Sequence, residues 1–169
     1  MLSGWTKSLT ISLYNNNTTL TDYQVKFIIN RSVGVNSGDN VYIGTDCKAD
    51  YGDIRFSSTS DVEYPYWIES YDASTATIWV KVPTLTANSY TDIVLQYGNA
   101  SATTTSSGVN TFVFFDDFDT LDTAKWTVGG TPTVASSQIT INEGSEYIIG
   151  KTGYAANYEI IGRGSLGAS

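Results

Sequence analysis

Five aromatic side chains lie close together in the chain, Tyr64, Tyr66, Trp67, Tyr71 and Trp79, and flat rings of this kind stack on the apolar faces of ligands such as sugars. Trp67, Trp79, Tyr64 and Tyr71 are the ring residues that would make a ligand-binding platform, although for several of them core or inter-strand packing is the stronger reading. A second group is acidic: Asp116, Asp117 and Asp119, with Asp122 close behind, supply the hard oxygen donors that calcium takes. Their spacing is not that of an EF-hand loop, and Asp in turns also caps backbone. A calcium site is the reading this group supports, and no other cofactor is expected. Histidine is absent and Cys47 is the only cysteine, which removes the commonest general base, the usual transition-metal ligand and any intramolecular disulfide. Cys47 reads as a small buried hydrophobe. Four N-x-S/T triplets, at Asn16, Asn17, Asn30 and Asn99, are possible glycosylation acceptors. A chain this rich in Asn, Ser and Thr produces such triplets by chance.

The elements that must position these groups are strands. Around the Trp pair, Ile78, Val80 and Val82 alternate with Thr77, Trp79 and Lys81, and Tyr66 and Ile68 alternate with Trp67 and Glu69, the period-two pattern of strands with one buried face. The polar run 72–75 between them predicts a hairpin, ended by Pro83, which cannot donate to a ladder. Upstream, Leu9, Ile11 and Leu13 oppose Thr10, Ser12 and Tyr14, and Val25, Phe27 and Ile29 oppose Gln24, Lys26 and Ile28. These two strands are expected to pair as antiparallel neighbours across the Asn-rich turn. Residues 31–50 read as a long loop with at most a short strand at 41–43. Residues 52–56 read as a strand with Ile54 and Phe56 inward and Arg55 outward or paired; Asp53 and Arg55 suit a salt link or turn hydrogen bonds better than chemistry. Residues 90–97 place Ile93, Leu95 and Tyr97 on one face, stopped by Gly98 and Asn99. Six or seven short strands without a helical stripe predict an all-β fold, an antiparallel sandwich or barrel, read over residues 1–100 as a jelly-roll-like β-sandwich.

Residues 101–110 offer almost no large apolar group to offset their ordering entropy, so they read as a Ser/Thr-rich linker. The composition then shifts to the apolar run 112–115, read as a strand, and the acidic cluster. Ile139 and Ile141, then 147–149 and 158–161, are further short apolar strands. Residues 111–169 are therefore expected to be the incomplete start of a second β-sandwich.

The charge balance is nine Lys plus Arg against seventeen Asp plus Glu, a net charge of −8, which repels polyanions and argues against nucleic-acid partners. No apolar run approaches the roughly 20 residues that span a bilayer, so direct membrane insertion is not expected. Charged residues are 15% and aromatic residues 13% of the chain, against roughly 25% charged in an average globular protein. That palette suits an extracellular or cell-surface β module, with any export signal lying outside the segment shown.

The series Trp5, GDIRF at 52–56, YWIES at 66–70, IWVKVP at 78–83 and QYGNA at 96–100 resembles the family called domain of unknown function 2341, over residues 1–108. The resemblance implies a module of large multidomain secreted or surface proteins of bacteria and archaea, with no established activity and no catalytic residue to carry over. FFDDFDTLDTAKWTV at 114–128 with QITIN at 138–142 looks like the opening of a concanavalin A-like lectin or glucanase jelly roll, truncated. Glucanases of that kind carry an E-x-D-x-E strand of catalytic carboxylates, and no such triplet occurs in this chain. The expectation is a non-catalytic extracellular surface module for adhesion or carbohydrate binding, with glycans as partners. The alternative is a structural subunit of a surface filament, surface layer or virion, completed by strands of neighbouring surface-protein subunits.

Overall fold

The longer strands of the first unit carry most of their aliphatic residues on one side, a face that two sheets packed against each other can bury. In the computed structural model, which describes residues 1–142, 144 and 146–153, that is the arrangement. The chain divides into two compact units, residues 1–116 and 117–169. The first holds β1 (Lys7–Asn15), β2 (Leu20–Asn30), β3 (Asn40–Tyr42), β4 (Arg55–Ser57), β5 (Glu63–Tyr64), β6 (Tyr66–Tyr71), β7 (Thr75–Leu85), β8 (Ser89–Tyr97) and one helical turn, α1 (Gly108–Thr111). One sheet runs β1-β8-β4-β5 and the other β3-β2-β7-β6. All pairs are antiparallel except β2 with β3.

The inner faces are those that alternation selects. Ile54, Phe56, Ile78, Val80, Val82, Ile93 and Leu95 are wholly buried, and Leu9, Ile11, Leu13, Val25 and Ile68 pack against them. Phe27 from one sheet stacks on Phe56 from the other at 5.7 Å. Cys47 is buried in the same core. Residues 31–50 hold only β3, within 41–43 to a residue, yet that loop sends Val41, Ile43 and Cys47 inward.

Several local expectations are corrected. β1 and β2 do not pair: β1 lies beside β8 and β2 beside β7. Both strands carry an apolar face, and the connection between them crosses from one sheet to the other, fixed by the buried Asn15, whose side-chain amide donates to the carbonyls of Thr18 (2.8 Å) and Leu85 (2.9 Å). Pro83 does not end β7, which continues to Leu85. Its missing N–H falls opposite Asp22, the one position the β2–β7 ladder skips, where Asp22 adopts a φ of 50°. The strand expected over 52–56 begins only at Arg55, and of the two placements expected for Arg55, outward or paired, the second holds: it is buried and paired with Glu63. The 66–71 and 75–85 strands do form a hairpin, with a bulge between Ile68 and Ser70.

Residues 101–110 are not a free tether. The backbone carbonyls of Ala102 and Thr103 accept from Lys48 and Arg55. Ser106 Oγ accepts from the Ile68 N–H, and the Ser107 N–H donates to the Tyr66 carbonyl. α1 then follows, with Ser107 as its N-cap. Residues 112–115 are not a strand of a second sheet but belong to the first unit.

The second unit contains β9 (Trp126–Gly129), β10 (Thr133–Ala135), β11 (Gln138–Thr140) and β12 (Tyr147–Gly150), joined as two antiparallel pairs, β9 with β12 and β10 with β11. Phe118 stacks on Trp126 at 5.7 Å. The strand expected at 158–161 lies outside the described residues. No helix among the described residues is long and apolar enough to cross a membrane.

Candidate functional site

Trp67 and Trp79 face each other as direct cross-strand partners on the outer face of the β3-β2-β7-β6 sheet. Trp79 donates its indole N–H to Glu69 Oε2 at 2.9 Å. They do not form an open platform. Phe115 stands edge-on to Trp67 at 4.8 Å, Phe112 meets Trp67 at 5.7 Å and Trp79 at 5.8 Å, and the two phenylalanines stack on each other at 6.0 Å. The cap is held by α1: the buried Thr111 gives its carbonyl to the Gln24 side chain at 2.9 Å. At Gly108 a Cβ would lie 2.2 Å from the Phe115 ring, so only glycine lets the ring seat there.

The other two nominated rings lie elsewhere. Tyr71 pairs with the inward-facing Ala76, the opposite side of the hairpin from Trp67, and packs edge-on to Tyr51 at 6.0 Å. Tyr64 sits on β5 in the other sheet, where burial raises its pKa. It lines a hollow of about 220 Å³ with Glu63, Pro65, Tyr66, Thr105, Ser107 and Asn110.

The motif residues converge on a polar network instead. Asp53 is buried and accepts from the backbone N–H groups of Lys48 (2.9 Å), Gly98 (2.9 Å) and Asn99 (3.1 Å), which ties the 52–56 and 96–99 segments together. Gly98 has a φ of 82° and leaves no room for a Cβ beside Thr6, so the turn after β8 requires it. Arg55 is 5% exposed. It donates to the carbonyls of Gly52 (3.2 Å), Ile54 (2.6 Å) and Thr103 (2.6 Å) and to the Tyr66 hydroxyl (3.2 Å). Glu63 lies 3.7 Å from its Nε, and the Trp5 ring covers the guanidinium at 5.1 Å. Trp5 is itself fixed by an indole hydrogen bond to the Asp53 carbonyl at 2.6 Å. Tyr66 Oη also accepts from the Thr105 N–H. Hydrogen bonds to turns and carbonyls thus account for both Asp53 and Arg55, and the arrangement fixes chain segments rather than presenting a reactive group.

Around Cys47, burial pushes the thiol pKa up against the pull of Arg31. Burial likewise lifts the Tyr51 hydroxyl to about 12. Neither group is poised as a nucleophile near neutral pH.

Asp116 is the last residue of the first unit. In the second, Asp117 Oδ1 accepts from the Asp119 N–H, Asp119 accepts from Ser137 Oγ, and Asp122 caps Ala124 and pairs with Lys125 at 3.6 Å. Among the described residues no group of three or more acidic, His or Cys side chains is gathered in a way that could hold a metal. Of the four asparagines in N-x-S/T triplets, Asn16 and Asn17 are exposed. The Asn30 amide donates to Ile28, Asn40 and Val41 oxygens, and Asn99 Oδ1 accepts from the Ser101 N–H.

One feature the sequence did not nominate is an exposed ring pair. Tyr14 on β1 and Tyr90 on β8 are direct cross-strand partners on the outer face of the β1-β8-β4-β5 sheet. They are 57% and 68% exposed, with centroids 4.9 Å apart and planes at 47°. On the same outer face, the next outward pair, Ser12 and Asp92, is joined by a 2.6 Å hydrogen bond that leaves a second carboxylate oxygen on Asp92. Alternation already placed Tyr14 outward; what it lacked was the β1–β8 pairing that brings Tyr90 alongside.

The family described as Domain of unknown function (DUF2341) matches residues 50–129. That span contains every motif segment of the resemblance except Trp5, and it runs past residue 108 through the Phe112 and Phe115 cap into the second unit. An uncharacterized protein of Methanocaldococcus jannaschii is 26% identical over 110 residues, covering 60% of this chain and 20% of that protein. The match thus spans about a fifth of that relative's length. No solved structure matches the chain.

Proposed function

We propose that this chain is a non-catalytic module of an extracellular or cell-surface protein that binds glycans weakly, and that its contact face is the Tyr14–Tyr90 pair rather than Trp67 and Trp79. The observation that carries this reading is the exposure of two adjacent rings, 57% and 68%, beside a carboxylate able to accept from sugar hydroxyls. Rings that stack on sugars must be open to them, and the Trp pair is covered by the chain's own phenylalanines. A face of this kind lacks an enclosing cleft, so affinity per site is low and useful binding comes from several copies. The net charge of −8 is consistent with neutral or cationic surface polymers and not with nucleic acid.

The second unit fits the opening of a concanavalin A-like sandwich. Its two antiparallel strand pairs and the Phe118–Trp126 stack support that reading. A structural subunit is the second functional reading, supported by β1, a nine-residue strand that ends its sheet among the described residues.

The test is a glycan array probed with a multivalent display of the whole chain. Tyr14→Ala and Tyr90→Ala should each weaken retention by roughly threefold to tenfold, as loss of one ring contact would, while leaving the thermal transition in place. No retention of any glycan by the wild-type display refutes the function. Binding that survives both substitutions refutes the face.

A further inference from the structure

We infer that β1 is an assembly edge, at which two copies of this chain pair antiparallel through residues 7–15 to join their β1-β8-β4-β5 sheets into one continuous sheet. The first unit has four edge strands, and three are protected in the ways natural sheets use. β5 has two residues and β3 has three. β6 carries a bulge, and the 106–107 segment covers it through hydrogen bonds to Ile68 and Tyr66. β1 differs on every count. It is nine residues long, regular, without proline or bulge, and its single charge, Lys7, stands at its end and pairs with Asp46. Among the described residues it pairs with β8 alone.

The surroundings of β1 are also under-covered. Leu9, Ile11 and Leu13 point inward yet stay only half-buried. A cleft of about 270 Å³ separates β1 from β3 and the loop before it, with Thr10, Ile11 and Ser12 on one side and Asn36, Ser37 and Gly38 of the loop and Asn40 and Val41 of β3 on the other. Two residues of that loop, Val33 and Val35, are 96% and 86% exposed. An added strand would supply the missing neighbour to the β1 backbone and cover apolar side chains left open to water.

The strand's own sequence identifies the occupant as a second copy. In the antiparallel register centred on Ile11, Leu9 falls opposite Leu13 of the other copy, Thr10 opposite Ser12, Ser8 opposite Tyr14 and Lys7 opposite Asn15, so apolar meets apolar on the inner face and no like charges meet. Such a contact is isologous and closes as a two-fold dimer. A two-fold axis perpendicular to the sheet keeps the inner faces on the same side and brings the two 31–39 loops, with Val33 and Val35, toward each other. The net charge of −8 on each copy opposes association at long range, so screening by salt should favour the dimer.

The experiment is sedimentation velocity on the full chain over a range of concentration and salt. The wild type should show a monomer–dimer equilibrium that tightens as salt rises. Thr10→Lys combined with Ser12→Lys places lysine opposite lysine at two exposed positions and should weaken the dimer about tenfold or more. Thr10→Glu with Ser12→Glu should do the same, and an equimolar mixture of the two variants should recover a heterodimer. A circular dichroism melt of each variant confirms folding, and the recovery itself requires folded partners. A wild type that stays monomeric at its solubility limit in high salt overturns the proposal, as does a Lys variant that dimerises as tightly as the wild type. A monomer that instead takes up an unrelated alternating strand peptide assigns the edge to a foreign strand and also overturns self-pairing. Glycan retention by the tyrosine pair is read separately, so either idea can fail alone.

Discussion

Replacing Arg55 with methionine removes the donor that holds three chain segments together. Arg55 makes four hydrogen bonds, to the Gly52, Ile54 and Thr103 carbonyls and to Tyr66 Oη. Bonds from a charged donor contribute roughly 1.5–3 kcal/mol each, a gross loss of roughly 6–12 kcal/mol. Against this, the guanidinium no longer has to be desolvated, which returns several kcal/mol, and methionine refills much of the apolar stem's volume. The net expectation is a destabilisation of roughly 3–5 kcal/mol, a large part of the roughly 5–15 kcal/mol typical of a domain. Urea unfolding followed by tryptophan fluorescence measures it, with an unchanged slope as the sign that the unfolding unit is the same. The segment 101–116 should also become a site of proteolytic nicking, because Thr103 and Tyr66 lose their common donor. Arg55→Lys should recover only part of the loss, since an ammonium cannot span the four acceptors as a planar fork does. A methionine variant within about 0.5 kcal/mol of the wild type, the range of ordinary surface substitutions, would refute the idea that this network fixes the Ser/Thr-rich stretch.

Gly108→Ala should force Phe115 off Trp67, since the new Cβ would lie 2.2 Å from its ring. The expected cost is roughly 1–3 kcal/mol of overpacking, with a red shift in tryptophan emission, and combining it with Phe115→Ala should give less than the sum of the two single effects. Asp72, at the turn of the β6–β7 hairpin, is held at a pKa of about 2 by backbone and side-chain hydrogen bonds from Ser74 and further ones from Thr75, below its ordinary 3.8. A depressed folded-state pKa means that its contribution is complete above pH 3.8 and disappears as pH falls toward 2. Stability measured across that window should fall less steeply in Asp72→Asn, the remaining slope coming from groups such as Asp61 and Glu146, which are also lowered. An unchanged slope would exclude Asp72 as a contributor.

Alternation determined which residues of β7 and β8 enter the core. Ile78, Val80 and Val82, or Ile93 and Leu95, can only lie on one side of a pleated strand, and a strand with one apolar side must turn it inward; all five are wholly buried. The hairpin of β6 and β7 was equally legible, because its partners are neighbours joined by a short polar turn. The partner of β1 was not. Each strand's pattern says which face is apolar but not which sheet it joins, and β1 pairs with β8 across most of the first unit. That one non-local pairing brings Tyr14 beside Tyr90 and, among the described residues, leaves β8 as the one strand beside β1. The same limit applies to residues 101–115. Their composition offers little burial of their own, and the run at 112–115 reads locally as a strand. Only in three dimensions do Arg55, Tyr66 and the Trp67–Trp79 surface supply the donors and the apolar floor that order them. Local pattern fixes a residue's side; the partner on that side comes from distant chain, and it is the partner that decides whether a ring is a cap, a core residue or a face open to a ligand.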